Sequence, residues 1–206
     1  INGTVHNLYD YTDAGKMVVI DVSATWCGPC WSYHGTGALN DFYLAHGPSG
    51  ANDAMAFFIE GDPSTTSADL HGTGTNTQGD WVTGESLPII DLTTTASFEN
   101  TGMVIPYFPV MYVICPNRTI IKADVAGSIG TLSLLNSYIG TCPAAASAPV
   151  DAALLSYQGA TKACNPVDLI VKLQNNGTSP LTAATITATV GSTQVASYNW
   201  SGNLAT

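Results

Sequence analysis

Two apolar runs dominate the first part of the chain. Met17–Val22 (MVVIDV) is continuous except for Asp21, and Ala54–Ile59 (AMAFFI) is unbroken, the pattern of strands covered on both faces of a sheet. Between them Leu39, Phe42 and Tyr43 recur at helical spacing over Trp31–Ala45, and Gly47 with Pro48 supplies a stop. Strand, helix and strand in that order predict a right-handed crossover between parallel neighbours. Upstream, Thr4–Leu8 alternates weakly and reads as a short strand, separated from the next by Asp13, Ala14, Gly15 and Lys16.

Gly61–Asn100 loses this periodicity and is rich in Gly, Thr and Asp, with one short helix expected near Ser67–Leu70. Irregular chain of that length is too long for a simple connection, so it reads as an insertion with a functional or capping role. Order returns at Pro109–Ile114, turns at Pro116, Asn117 and Arg118, and continues in Thr119–Val125, which predicts a hairpin. Thr131–Ile139 carries Leu132, Leu135 and Ile139 on one helical face. The Ala, Ser and Pro of Pro143–Pro149 then mark a linker, residues 143–150, between a first domain over 1–142 and a second over 151–206. In the second, Val167–Leu173, Ala183–Val190 and Gln194–Asn199 read as strands, with turns at Asn175–Gly177 and Gly191–Ser192. A β-sandwich takes about seven strands, so this module is incomplete in the chain or completed by something else. The fold class is therefore α/β, a central mixed sheet flanked by helices, followed by a partial all-β, sandwich-like module.

The 206 residues are 45% hydrophobic and only 10% charged, with five Lys plus Arg against fifteen Asp plus Glu and a formal charge of −10. Such a surface repels phosphate backbones and anionic lipid, which argues against nucleic-acid and membrane-surface partners. No apolar run is long enough to span a bilayer. The chain starts at Ile1, inside what reads as a strand, and the expectation is that a leader has been removed.

The most specific signal is Val18–Cys30, VVIDVSATWCGPC. A CxxC between a buried strand and a helix start puts Cys27 at the positive end of the helix, where backbone N–H groups and the macrodipole favour thiolate. Cys27 is then the nucleophile, and Cys30, one turn along, attacks the mixed disulfide. Gly28 is expected to let the turn form, and Pro29 presets a helical φ in the first turn. Asp21, six residues before Cys27 on an apolar strand, is costly to ionise. It is read as a general base for Cys30, with a carboxylate merely satisfied at the strand end as the alternative. Pro109, opening a central strand, is awkward unless its bond is cis and the neighbouring backbone holds something.

WCGPC after a DV-type strand, followed downstream by the tripeptide FPV and a strand, resembles the thioredoxin superfamily. The order LYDY, then GKMVVIDVSATWCGPC, is closer to the exported thioredoxin-like reductases related to TlpA. The resemblance covers about Ile1–Cys142. It implies Cys27 as attacking thiol, Cys30 as resolving thiol, Asp21 as buried acid and Pro109 as cis-proline facing the dithiol, with the Phe108 backbone pairing with a substrate strand. FFIEGDPSTT, GTGTNTQGDWVTGESLPIID and VICPNRTI are similar to outer-membrane-associated thioredoxin-like proteins of Bacteroidetes. CNPVDLIVKLQNNGTSPLTAATI with YNWSGNL resembles the start of an adhesion-type, immunoglobulin-like β-sandwich module. Three departures bear on substrate choice: Trp31 stands where thioredoxins carry Lys, an aromatic Phe108 precedes the substrate strand, and the insertion is placed to cover the dithiol.

Other features carry less. Cys27, Cys30 and His34 have the spacing of three zinc ligands but lack a fourth, so no metal is expected, and Trp31 directly after Cys30 excludes haem attachment. No cofactor is expected. His34 reads as a surface or packed histidine rather than a proton shuttle. Cys142 and Cys164 flank the linker, and bridging them closes a loop of about twenty residues worth about 3 kcal/mol. Cys115 is read as a buried small hydrophobe, with pairing to Cys142 as the alternative. Trp26 is expected to line the substrate groove with Gly28, Pro29 and Phe108. Asp62, Asp69, Asp80 and Asp91 match no calcium loop and read as solvated carboxylates.

The expected function is thiol-disulfide exchange in an exported protein, secreted or held in the cell envelope. It would act on protein or peptide disulfides and be reset by an unidentified redox partner, with the β-module free to meet a surface partner. The competing class is a non-catalytic surface or adhesion protein that keeps the fold as scaffold.

Overall fold

A computed structural model describes residues 1–143, 150–159 and 168–205. The chain divides into two compact units, Ile1–Ala145 and Ala146–Thr206. The linker assigned to 143–150 falls almost wholly, and Cys164 wholly, outside the described residues.

The first unit is built on a five-stranded sheet in the order β3-β2-β1-β4-β5. Its centre is β1 (Met17–Ser23), every residue of which is buried. Parallel to it runs β2 (Ala54–Glu60), also buried throughout, and beyond that β3 (Ile89–Asp91). On the other side β4 (Val110–Ile114) is antiparallel to β1, and β5 (Ile120–Val125) closes the sheet as a hairpin with β4. In β5 only Ile121 is half-buried and the rest is exposed, as befits a strand at the sheet edge.

Because both faces of β1 and β2 are apolar, each face carries its own core. On one, Val19, Phe58, Met111 and Val113 pack with Tyr33, Phe42, Leu135 and Trp81. On the other, Val18, Ile20, Val22, Phe57 and Tyr112 pack with Phe98 and Met103. The crossover from β1 to β2 consists of α2 (Gly28–His34) and α3 (Ala38–His46), two helices rather than the single one expected. Gly37 separates them at φ 69°, a left-handed conformation that favours glycine. The last helices, α6 (Ala126–Ile129) and α7 (Leu132–Ile139), return over the first face, where α7 packs on α3. Parallel βαβ followed by a β-hairpin and a helix, with the crossover helix starting at a CxxC, is the thioredoxin fold.

Three sequence expectations are corrected. Residues 4–7 form no strand; Asn7 instead accepts a hydrogen bond from the Tyr9 N–H and caps a short helix, α1 (Leu8–Asp13). The insertion is more ordered than its composition suggests. It holds the expected helix α4 (Ser67–Leu70), with a Thr66/Asp69 capping box, and a further helix α5 (Thr95–Glu99), and it donates β3 to the sheet edge. Cys142 is bonded to Cys115 and not to Cys164. Cys115 ends β4 and Cys142 follows α7, which brings their Cα atoms to 5.1 Å, within disulfide reach.

Among the described residues the second unit holds only strands. β6 (Ala152–Tyr157) pairs antiparallel with β7 (Val171–Asn175), and β8 (Leu181–Val190) with β9 (Thr193–Leu204). β6 is absent from the sequence expectation. Asn175 ties the two ribbons, its Nδ2 donating to Ser179 O at 2.8 Å and Leu204 O at 3.1 Å.

Cys115 and Cys142 close a segment with a sequence separation of 27. Replacing both with Ala is expected to lower unfolding free energy by about 3 kcal/mol on the chain-entropy model, measured by urea denaturation of the first unit.

Candidate active site

The site forms where β1 ends. After Ser23 the chain turns through Ala24–Trp26, and Cys27 becomes the N-cap of α2, its sulfur accepting the Cys30 N–H at 3.2 Å. Pro29 lies in the first turn, where a missing N–H leaves no helical bond unmade. Cys27 and Cys30 are joined as a disulfide, Cys27 4% exposed and Cys30 fully buried. Helix N–H groups aimed at Cys27 favour its anionic form once the bond opens. Gly28 is not strained: it lacks positive φ, and a Cβ there would meet no atom within 4 Å. Conformational need does not explain glycine at this position, contrary to expectation.

The Phe108–Pro109 bond is cis. Pro29 and Pro109 both line a groove of about 910 Å3 whose far wall is Tyr33, Val125 and Leu132. On the opposite side Cys27, Gly28 and Pro29 line a second cleft of about 720 Å3 with Trp26, Phe108 and the insertion's Asp62. Pro29, between the two cysteines, is common to both grooves, and Cys27 lines the second. Trp26 is 42% exposed, packs edge-on to Phe108 at 5.9 Å between ring centres, and donates its Nε1–H to Asp62 Oδ2 at 2.7 Å. Gly61 makes room for Phe108, since a Cβ there would come within 2.8 Å of the ring.

The insertion forms a wall and a brace instead of a cover. Gln78 N donates to Thr25 O, Gln78 Nε2 to Trp26 O, and Thr25 Oγ1 to Asn76 O, all within 2.9 Å, so the turn before Cys27 is held from outside the helix. Trp81, fully buried, packs edge-on to Trp31 at 5.0 Å. Two of the insertion's acidic residues serve its own backbone. Asp69 caps α4 and accepts from Asn76 N, while Asp80 accepts from Val82 N and Thr83 N, bonds that hold its carboxyl down at about 2.

Two carboxyl groups are buried toward the ends of β1 and β2. Asp21 accepts from Ser23 Oγ at 3.1 Å through Oδ2, and its Oδ1 has no partner. Burial pushes its pKa up to about 7, against the opposing bond from Ser23. Glu60, which no sequence feature singled out, ends β2 opposite Ser23 in register and is fully buried. One oxygen accepts Asp62 N at 3.0 Å and the other is unpartnered; burial again raises the group to about 7. The signal available was a carboxylate directly after an apolar run, which is equally the mark of an ordinary strand end. His34 is stacked with Trp31, lies against Trp81 and Phe58, and faces Glu85 Oε1 at 3.7 Å. Burial lowers its pKa.

No protein-family model matches the chain, and no curated protein does. Among solved structures it is similar to a protein provisionally described as a thiol-disulfide oxidoreductase from Bacteroides vulgatus (23% identity, 66% of this chain and 86% of the other, TM-score 0.47). It is also similar to a thiol:disulfide interchange protein from Bacteroides sp. (15%, 69% and 82%, 0.43) and to an exposed lipoprotein thioredoxin from Streptococcus pneumoniae (16%, 68% and 93%, 0.44).

Asp21 and Glu60 bind protons more tightly in the folded chain than unfolded, so stability falls as pH rises from about 4 toward 7 and the full penalty stands above that. Asp21→Asn removes its share. Denaturant midpoints should match wild type in acid and exceed it increasingly with pH, toward an upper bound of about 4 kcal/mol. A gain of equal size at all pH values would mean that the carboxyl is not the cause.

Proposed function

We propose that this chain is an exported thiol-disulfide oxidoreductase. The observation that carries the reading is Cys27 as N-cap of α2, accepting the Cys30 N–H while it lines an open cleft with Trp26 and Phe108. In the dithiol form the Cys27 thiolate attacks one sulfur of a substrate disulfide. A Cys27–substrate bond forms, and the other substrate sulfur leaves as thiolate. Cys30 passes its proton to Asp21 and attacks Cys27 Sγ, which closes the Cys27–Cys30 bond and releases the second substrate sulfur. The substrate disulfide gains two electrons and the dithiol loses two. The reverse sequence oxidises a substrate dithiol, and a separate dithiol or disulfide partner resets the pair.

Asp21 supports the assignment, because a half-satisfied carboxyl in the central strand has no packing advantage over Val or Asn. Phe108 lines the same cleft as Cys27, and Pro109 the same groove as Pro29, which supports the reading that their backbone meets an extended peptide while Trp26, Gly28 and Pro29 contact it. The second disulfide, Cys115–Cys142, favours an oxidising compartment and so a secreted or cell-envelope location. The C-terminal ribbons are read as the start of a sandwich module that meets a surface partner.

With a cystine-containing peptide, Cys30→Ser is expected to accumulate a mixed disulfide at Cys27, and Cys27→Ser to react no faster than free thiol, both read by quenching and mass. A Cys27–Cys30 reduction potential between roughly −270 and −120 mV supports exchange chemistry. A pair that stays oxidised far below that range would make the motif structural and favour a scaffold.

A further inference from the structure

Asp21 needs a way to exchange its proton with water, and its own surroundings offer none. The residue is 2% exposed, and its free Oδ1 is enclosed. Cys30 is fully buried as well. Yet Asp21 lines a small cavity of about 10 Å3 whose other walls include Tyr33, His34, Phe58, Asn40 and Glu85. That is room for one water, and a buried water is held by two to four polar partners, roughly the number offered here. The Tyr33 hydroxyl is committed elsewhere, donating to Gly130 O at 2.9 Å. Asp21, His34 and Glu85 remain as the proton-accepting groups.

His34 and Glu85 also reach the outside. Their side chains are 15% and 13% exposed, with Nε2 and Oε1 3.7 Å apart. The loop that carries Glu85 is fixed on both sides by Asn40 of α3, which accepts the Ser86 N–H at 2.8 Å and donates to Gly84 O at 3.5 Å. The His34 ring is wedged among Trp31, Trp81 and Phe58.

We propose that one water in this cavity joins Asp21 to the His34–Glu85 pair, making that pair the proton route between the buried acid and solvent. The inference rests on the oxidoreductase reading. When Cys30 attacks Cys27, its proton moves to the Asp21 carboxylate, from there to the water, and the water passes a proton to the His34 imidazole or the Glu85 carboxylate, which releases it to bulk. The reverse transfer occurs on reduction. The other charged groups around the route are Asp80, which favours the charged imidazole, and Asp41, which raises the Glu85 carboxyl. Glu60 is the second buried carboxyl on the same face of the sheet. His34 and Glu85 are positioning residues in this scheme, since neither touches the reacting sulfurs.

The test is single-turnover oxidation of the full reduced chain by a cystine-containing peptide, with acid quenching to separate formation of the Cys27 mixed disulfide from its resolution by Cys30. Wild type, Glu85→Gln, His34→Gln, His34→Ala and Asp21→Asn are compared across the pH range in which carboxyl and imidazole titrate. Formation should be unchanged in the His34 and Glu85 variants, while resolution slows about tenfold, a modest share of what proton transfer contributes to such steps. Added imidazole should restore resolution in His34→Ala. Glu85→Gln keeps the shape of the loop, so a slowed resolution there does not come from misfolding. Unchanged resolution in both Glu85→Gln and His34→Gln, with Asp21→Asn slow, overturns the relay and leaves the oxidoreductase reading intact. Equal slowing of both phases without imidazole rescue also overturns it, as that is the mark of a packing role. Absence of any mixed disulfide in wild type removes the oxidoreductase reading itself.

Discussion

An ionisable carboxyl with one free oxygen is among the costlier groups to enclose, and β1 encloses one at its centre. Its presence orders the surroundings. Ser23, two residues on and so on the same face, supplies a bond; α2 closes above it; β2 and β4 exclude water from the sides. What results is a group held near neutrality in its protonation, a state that neither solvent nor an ion pair would produce.

The insertion completes that enclosure. It reaches the site at four points, three of them around α2: Asn76 and Gln78 hold the turn before Cys27, Trp81 backs Trp31, and Glu85 stands at His34. Asp62 fixes Trp26 at the mouth of the cleft. These contacts come from one segment and act on different sides of α2, so the segment sets both the shape of the opening and the dryness of the interior.

How much of this could be read from residues alone depended on whether a residue broke a pattern. Asp21 interrupts an apolar run and Pro109 opens one, so both stood out, and WCGPC at a strand-to-helix junction left little doubt about α2. Glu60 follows its run instead of interrupting it, and Ile89–Asp91 is too short and too embedded in turn residues to announce an edge strand. The break between α2 and α3 is a matter of three residues around Gly37, within which an apolar periodicity of helical spacing continues almost undisturbed. Cysteine pairing depends on where α7 ends in space, which no local pattern encodes. His34 had the composition of a packed residue and turned out to be packed, but among partners drawn from distant parts of the chain.

The bond between Cys115 and Cys142 has a mechanical side. β4 has Pro109 at one end and Cys115 at the other, and the chain leaves toward the second unit just after Cys142. Tension applied to the chain beyond that point is therefore carried covalently into the end of β4 remote from the cis peptide, without first peeling α7 from α3. The bond thus ties the last residues of the first unit's described chain directly to its sheet.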